Sequence, residues 1–147
     1  MRIKKVLAAA AVASLALVAA ACGDDDDKAD DKIEVVKDAK FDAGTTMDRL
    51  AKQGTVKIGT KFDQPGFGMA DLDGKPQGFD VEIGKIIAGQ LGIPSDKIEW
   101  VESPSAVREE NIEQGKVDFV VATYTINDKR KERVDFAGPY YEAGQAI

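Results

Sequence analysis

The sequence predicts an α/β lobe built on a largely parallel sheet, and three observations carry that prediction. Apolar, often β-branched runs of strand length fall at 55–59, 98–102 and 117–121. Segments with apolar residues at helical spacing lie between them, and glycines and prolines stand at the joints. Strand and helix in alternation imply parallel strands with helices on the faces.

Taken in order, Thr45 or Thr46 is expected to cap a helix through Met47, Leu50 and Ala51, with Gly54 as its stop. The first strand, Thr55 to Gly59, carries Val56 and Ile58. The loop Thr60 to Phe67 contains Pro65 and Gly66 and reads as irregular. Phe67 to Ala70 and Pro76 to Gly78 flank a turn holding Asp73 and Gly74, a pair that tolerates positive φ and signals a hairpin. Asp80 is expected to cap the next helix. Its Val81, Ile83, Ile86, Ile87 and Leu91 should pack on the sheet, and Gly92 and Pro94 end it. Ile98 to Glu102 forms the second strand. Ser103 as cap and Pro104 at the first helical position would open a helix to Gly115, with Val107 and Ile112 facing inward. The strand Val117 to Val121 leads into the polar loop Thr123 to Asn127, after which Asp128 would cap a short basic helix holding Lys129, Arg130, Lys131 and Arg133. Val134 to Phe136 reads as a last short strand before Gly138, Pro139, Tyr140 and Tyr141.

The amino terminus is of another kind. Arg2, Lys4 and Lys5 precede an apolar run, Val6 to Ala21, that ends at Cys22. A basic start, an apolar middle and small residues before a cut outline a secretory signal over residues 1–21. The run is alanine-rich and shorter than the roughly 20 apolar residues of a spanning helix. Asp24 to Asp27, Lys28, Asp30, Asp31 and Lys32 follow, a block unable to bury apolar surface, so 22–43 is expected to be a disordered tether and 44–147 the lobe. Four adjacent carboxylates without a glycine turn or further ligands do not make a calcium site.

Composition narrows the function. The 147 residues carry a net charge of -6, which argues against a nucleic-acid partner. There is no histidine, which removes the commonest general base and metal ligand. One cysteine excludes an internal disulfide and any paired-cysteine metal or redox site. No metal and no cofactor are implied.

The stretch Val117 to Arg130 carries the chemistry. Its loop lies at a strand's carboxyl end and a helix's amino end, the place where open α/β sheets bind ligands. Thr123 and Thr125 offer hydroxyls, the loop offers backbone N–H groups, and Arg130 offers a planar fork suited to a carboxylate. The plainer alternative is a solvated turn before a surface helix.

Two segments carry a family resemblance. Gly78 to Leu91, GFDVEIGKIIAGQL, is similar to the signature of the bacterial extracellular solute-binding proteins of family 3, the polar amino acid receptors of ABC importers. Thr123 to Tyr141, TYTINDKRKERVDFAGPYY, resembles their second common block. The likeness covers about Thr55 to Ile147, and KFDQPGFG with VATYTINDKR resembles the glutamate-binding lipoproteins among them. It implies the first lobe of a periplasmic-binding-protein type II fold, ending at the hinge with the second lobe absent. LVAAAC likewise resembles a lipobox, with Ala19 where a larger aliphatic is usual, making Cys22 a lipidated first residue that anchors the protein to the membrane. The alternative there is a secreted protein cut near Ala21.

Carried over by position, the resemblance implies that Arg130 binds an amino acid's α-carboxylate, with Thr125 helping through its hydroxyl and backbone N–H. Thr123 would accept from the α-ammonium through its carbonyl, and Arg108 and Lys61 would meet the side-chain carboxylate of an acidic ligand. Read alone, Arg108 is an exposed helix charge pairing with Glu109 or Glu113. Ser105 and Gln64 occupy positions that are often aromatic, which suits a polar ligand. The implied function is capture of glutamate, or another acidic or polar amino acid, outside the membrane for the permease subunits of an ABC importer. Half a two-lobed clamp is expected to bind weakly or not at all. The alternatives are a cyclohexadienyl-dehydratase-like enzyme on the same fold and a lipoprotein fragment that binds nothing.

Overall fold

A computed structural model describes residues 33–144; the signal segment, Cys22 and the acidic block lie outside the described residues. Helix α1, Thr46–Gln53, is capped by Thr45, whose hydroxyl accepts from the Asp48 N–H at 3.2 Å, and it stops at Gly54. Strand β1, Val56–Thr60, follows. Three short antiparallel strands come next, β2 (Asp63–Gln64), β3 (Gly68–Ala70) and β4 (Pro76–Gln77). The loop expected to be irregular therefore supplies β2, which pairs with β3. In the turn between β3 and β4, Asp71 Oδ1 accepts from the N–H groups of Asp73 and Lys75.

Helix α2, Phe79–Gln90, has Gly78 at its cap position and no capping side chain. Asp80 was expected to cap it and does not. The helix's first N–H groups are taken instead by the hairpin, Phe79 donating to Gly66 O and Asp80 to Phe67 O, both at 3.0 Å. That leaves the Asp80 carboxyl for the interior, where the residue is 1% exposed. Val81 and Ala88 are fully buried and Ile83 packs on the core, whereas Ile86 and Ile87 are 47% and 37% exposed, so only part of the expected apolar side meets the sheet. Past the helix, Gly92 takes φ 78°, the left-handed conformation that lets the Ile93 N–H return to Ala88 O at 2.9 Å.

Strand β5, Ile98–Glu102, pairs in parallel with β1 from Val56↔Ile98 to Thr60↔Glu102. Strand β6, Phe119–Val120, pairs in parallel with the other edge of β1, giving the order β5-β1-β6. Between them helix α3, Arg108–Glu113, starts later than Ser103. Ser103 is committed elsewhere: its N–H extends the ladder to Thr60 O at 2.7 Å, and its Oγ accepts from Asn111 Nδ2 at 3.2 Å. Residues 104–107 form a turn closed by Val107 N–H to Pro104 O. Helix α4, Asp128–Lys131, is capped by Asn127 rather than Asp128, its Oδ1 accepting from Arg130 N–H at 3.0 Å. Asp128 sits in the first turn, where a negative charge suits the helix dipole. No strand forms at 134–136. The Val134 N–H returns to Arg130 O, and Phe136 packs edge-on against Tyr124 with ring centroids 5.0 Å apart.

Leu50, Val56, Ile58, Ala88, Leu91, Ile93 and Val121 form the core, with Phe41, Ile83, Ile98, Trp100 and Phe119 packed around them. Phe41 belongs to the stretch expected to be tether. Residues 33–43 lie instead against the end of α2, with Val36 N–H donating to Gly89 O at 2.9 Å. Ile33, Val35, Val36 and Phe41 give this stretch apolar surface that the acidic block lacks, so the packed part begins before Gly44.

Gly59 lies in the middle of the sheet, where a Cβ would come 2.5 Å from Ser103 Oγ and 2.8 Å from Val120 Cγ2. Gly59→Ala should therefore destabilise the lobe by about 1–3 kcal/mol through overpacking. Urea unfolding of the variant against the parent chain measures it.

Candidate ligand-binding site

The carboxyl ends of β1, β5 and β6 lie side by side, and Lys61, Ser103 and Thr123 follow them at the edge where open α/β sheets form their crevice. Arg108 ties the rim together. Its Nε donates to Ser103 O at 3.1 Å and its Nη1 to Thr123 O at 2.9 Å. The residue is 1% exposed, so it is neither the solvated helix charge of the plain reading nor an open cationic patch. Burial, with Arg130 nearby, lowers its pKa from the usual arginine value, while Tyr124, Asp80 and Glu109 work the other way. Arg108 Nη2, Thr60 Oγ1 and Asp80 Oδ2 are buried without a hydrogen-bond partner among the described residues.

Arg130 is held on three sides. Nη1 donates to Thr125 O at 2.7 Å, Nε lies 3.2 Å from Glu109 Oε1, and Cζ stands 4.8 Å from the Tyr124 ring centroid. Burial pushes the Glu109 carboxyl up, but hydrogen bonds and the charges of Arg130 and Arg133 outweigh it and hold the group below the ordinary carboxylate range. Glu109 is therefore a carboxylate seated on Arg130.

The remaining expected residues divide. Gln64 is brought to Thr123, its Oε1 accepting from Thr123 Oγ1 at 2.8 Å. Thr125 is exposed, and its carbonyl rather than its hydroxyl meets Arg130. Lys61 pairs with Asp63 at 3.0 Å. Ser105 sits exposed in the turn before α3. A concavity of about 360 Å³ lies against Glu109, Asn127, Lys129, Arg130 and Arg133. Of the expected site residues only Arg130 lines it.

Three residues here were not singled out by the sequence reading as part of the site. Asp80 Oδ1 accepts from Tyr140 Oη at 2.7 Å, and the same phenol lies 2.9 Å from Ala122 O, next to Thr123. Burial pushes the Asp80 carboxyl up, against the lowering effect of Tyr140 and Arg108. Tyr140 thereby fixes the end of β6 to the start of α2. Phe79 packs against it with ring centroids 6.0 Å apart, and Phe67 and Tyr141, 5.2 Å from each other, pack on Phe79 in turn. The third is Tyr124, beneath Arg108 and Arg130. An aromatic between two threonines carries no signal of such a role.

A parallel α/β lobe with a guanidinium-bearing loop at its strand ends is the first lobe of a periplasmic-binding-protein type II fold. Solved structures agree. The solute receptor for L-cysteine of Neisseria gonorrhoeae matches with a TM-score of 0.62 and 44% identity, over 65% of this chain and 39% of that one. A mutant of the arginine-bound form of domain 1 from TmArgBP matches with a TM-score of 0.60 and 31% identity, over 67% of this chain and 74% of that one. The chain belongs to the bacterial extracellular solute-binding proteins, family 3, whose profile matches residues 56–147. Among curated relatives, the glutamate-binding protein GluB of Corynebacterium glutamicum is 43% identical over 100 residues, 65% of this chain and 34% of that protein. The chain thus spans about a third of that relative's length.

Replacing Arg108 by methionine would keep much of its volume while leaving the Ser103 and Thr123 carbonyls without their donor. The variant should lose about 3 kcal/mol of stability, as removal of one member of a buried polar network does. Thermal and urea unfolding check this without any ligand.

Proposed function

We propose that this chain is the first lobe of an exported amino acid receptor serving an ABC importer, and that its ligand is glutamate or another acidic or polar amino acid. The single observation that carries the reading is Arg130. Its guanidinium lines the concavity beside α4, held by Thr125 O, Glu109 and Tyr124, and it still has Nη2 to offer an α-carboxylate. Thr123 O, already holding one arginine hydrogen bond, has a second lone pair for an α-ammonium. Arg108 adds its positive charge from beneath the rim, with Nη2 buried and unpaired among the described residues, and Lys61 is the outer cation for a side-chain carboxylate. Likeness to a glutamate-binding protein at 43% identity supports an acidic ligand.

The arginine-bound form of domain 1 from TmArgBP is one domain of a relative described with its ligand, which bears on the expectation that one lobe binds weakly or not at all. The isolated chain is therefore the sample to test. Calorimetric titration with glutamate should give measurable affinity, and Arg130→Ala should weaken it about 10- to 150-fold, the worth of a charge-assisted carboxylate contact. Affinity within twofold of the parent would remove Arg130 from the site.

We propose further that Cys22 is lipidated, anchoring the lobe to the outer face of the membrane through the acidic tether. Two acyl chains hold a protein stably where one does not. Cys22→Ser should release the protein from the membrane fraction into the soluble one and remove the mass added by the lipid. Retention of the variant in washed membranes would refute the anchor.

A further inference from the structure

Tyr124 stands between two residues assigned to the ligand, yet that reading gives it no task. Its ring lies within cation–π reach of two guanidiniums, 4.8 Å from Arg130 Cζ and 5.0 Å from Arg108 Cζ. Phe136 braces the ring edge-on at 65°. We infer that Tyr124 is a positioning residue of the site: one ring holds both arginines in place and lets two like charges share a small volume. The inference rests on the reading of Arg130 as the carboxylate anchor.

The physical case begins with charge. Arg108 and Arg130 are close enough for Arg130 to oppose the charge on Arg108, second only to burial. A ring whose faces are negative attracts each cation and lessens the cost of their proximity. The ring stays neutral, because burial and the neighbouring Glu109 carboxylate push the phenol up to about 12. Both Cζ atoms lie over the ring, so one aromatic group restrains the position of each guanidinium. Arg130 is thereby held by an edge contact to Glu109, a carbonyl and a ring, and Arg108 by two carbonyls and the same ring. Side chains ordered before the ligand arrives lose less freedom on binding, which raises affinity without a new contact. An aliphatic residue at 124 would fill space and supply neither plane nor quadrupole.

The test compares Y124L, Y124F and Y124W with the parent chain by two readouts. In glutamate titrations, Y124L should bind about tenfold more weakly, while Y124F and Y124W stay within threefold. In spectra of the arginine Nε–Hε groups, the ring displaces the Arg108 and Arg130 signals. Y124F and Y124W should keep them displaced, and Y124L should return both toward free arginine. Y124M replaces Y124L should that variant not fold. Loss of binding in Arg130→Ala with parental binding in Y124L would overturn the inference and leave the proposed anchor standing. Parental binding in Arg130→Ala would overturn the anchor and, with it, the positioning role. Arginine signals unmoved by Y124L would overturn the inference whether or not glutamate binds.

Discussion

Arg108 joins two strand ends that are not neighbours. Ser103 follows β5 and Thr123 follows β6, on opposite sides of β1, and both carbonyls meet one guanidinium. Parallel strands end with carbonyl groups that have no further ladder partner, and a buried carbonyl left so costs about 1–3 kcal/mol. Arg108 satisfies two of them and pins the width of the crevice between them. The arrangement costs burial of a charge, offset in part by the Asp80 carboxyl, which Tyr140 in turn fastens to Ala122. Arg108 thus ties Ser103 to Thr123, Tyr140 reaches Asp80 and Ala122 beside it, and from there the loop bearing Thr123 and Thr125 runs on into α4 and Arg130.

The network is closer to neutral than the count of cations suggests. Arg130 has Glu109, Lys61 has Asp63, and Arg108 has Asp80 within its electrostatic reach. These pairs differ in kind. Asp63 is 71% exposed, and such a surface pair contributes little. Arg130 and Glu109 have side chains only 25% and 12% exposed, where a partner lost is a partner that must be replaced. Glu109 therefore already occupies one edge of the Arg130 guanidinium.

Much of this was legible in the residues. Helix stops at Gly54 and Gly92, the Thr45 cap, the hairpin at Asp73-Gly74 and all three parallel strands follow from local chemistry and period. What sequence could not give depends on contacts far along the chain. Asp80 has the look of a cap, but the hairpin took the helix's N–H groups first; Ser103 has the same look, but the ladder to Thr60 claimed it. Val134 to Phe136 has strand composition and found no neighbouring edge. At the site, the loop and its arginine were readable from motif. The burial of Arg108 and the double stacking on Tyr124 were not, because both require knowing that 108 and 123–130 meet.

Residues 33–43 run over the end of α2 at Gly89, whereas the crevice opens near that helix's beginning, where Asp80 and Tyr140 meet. Nine helical residues separate Asp80 from Gly89, a rise of roughly 14 Å. The stretch 33–43 therefore leans on the far end of α2, away from the end where Tyr140 ties Asp80 to Ala122, so the two ends of one helix serve separate parts of the chain.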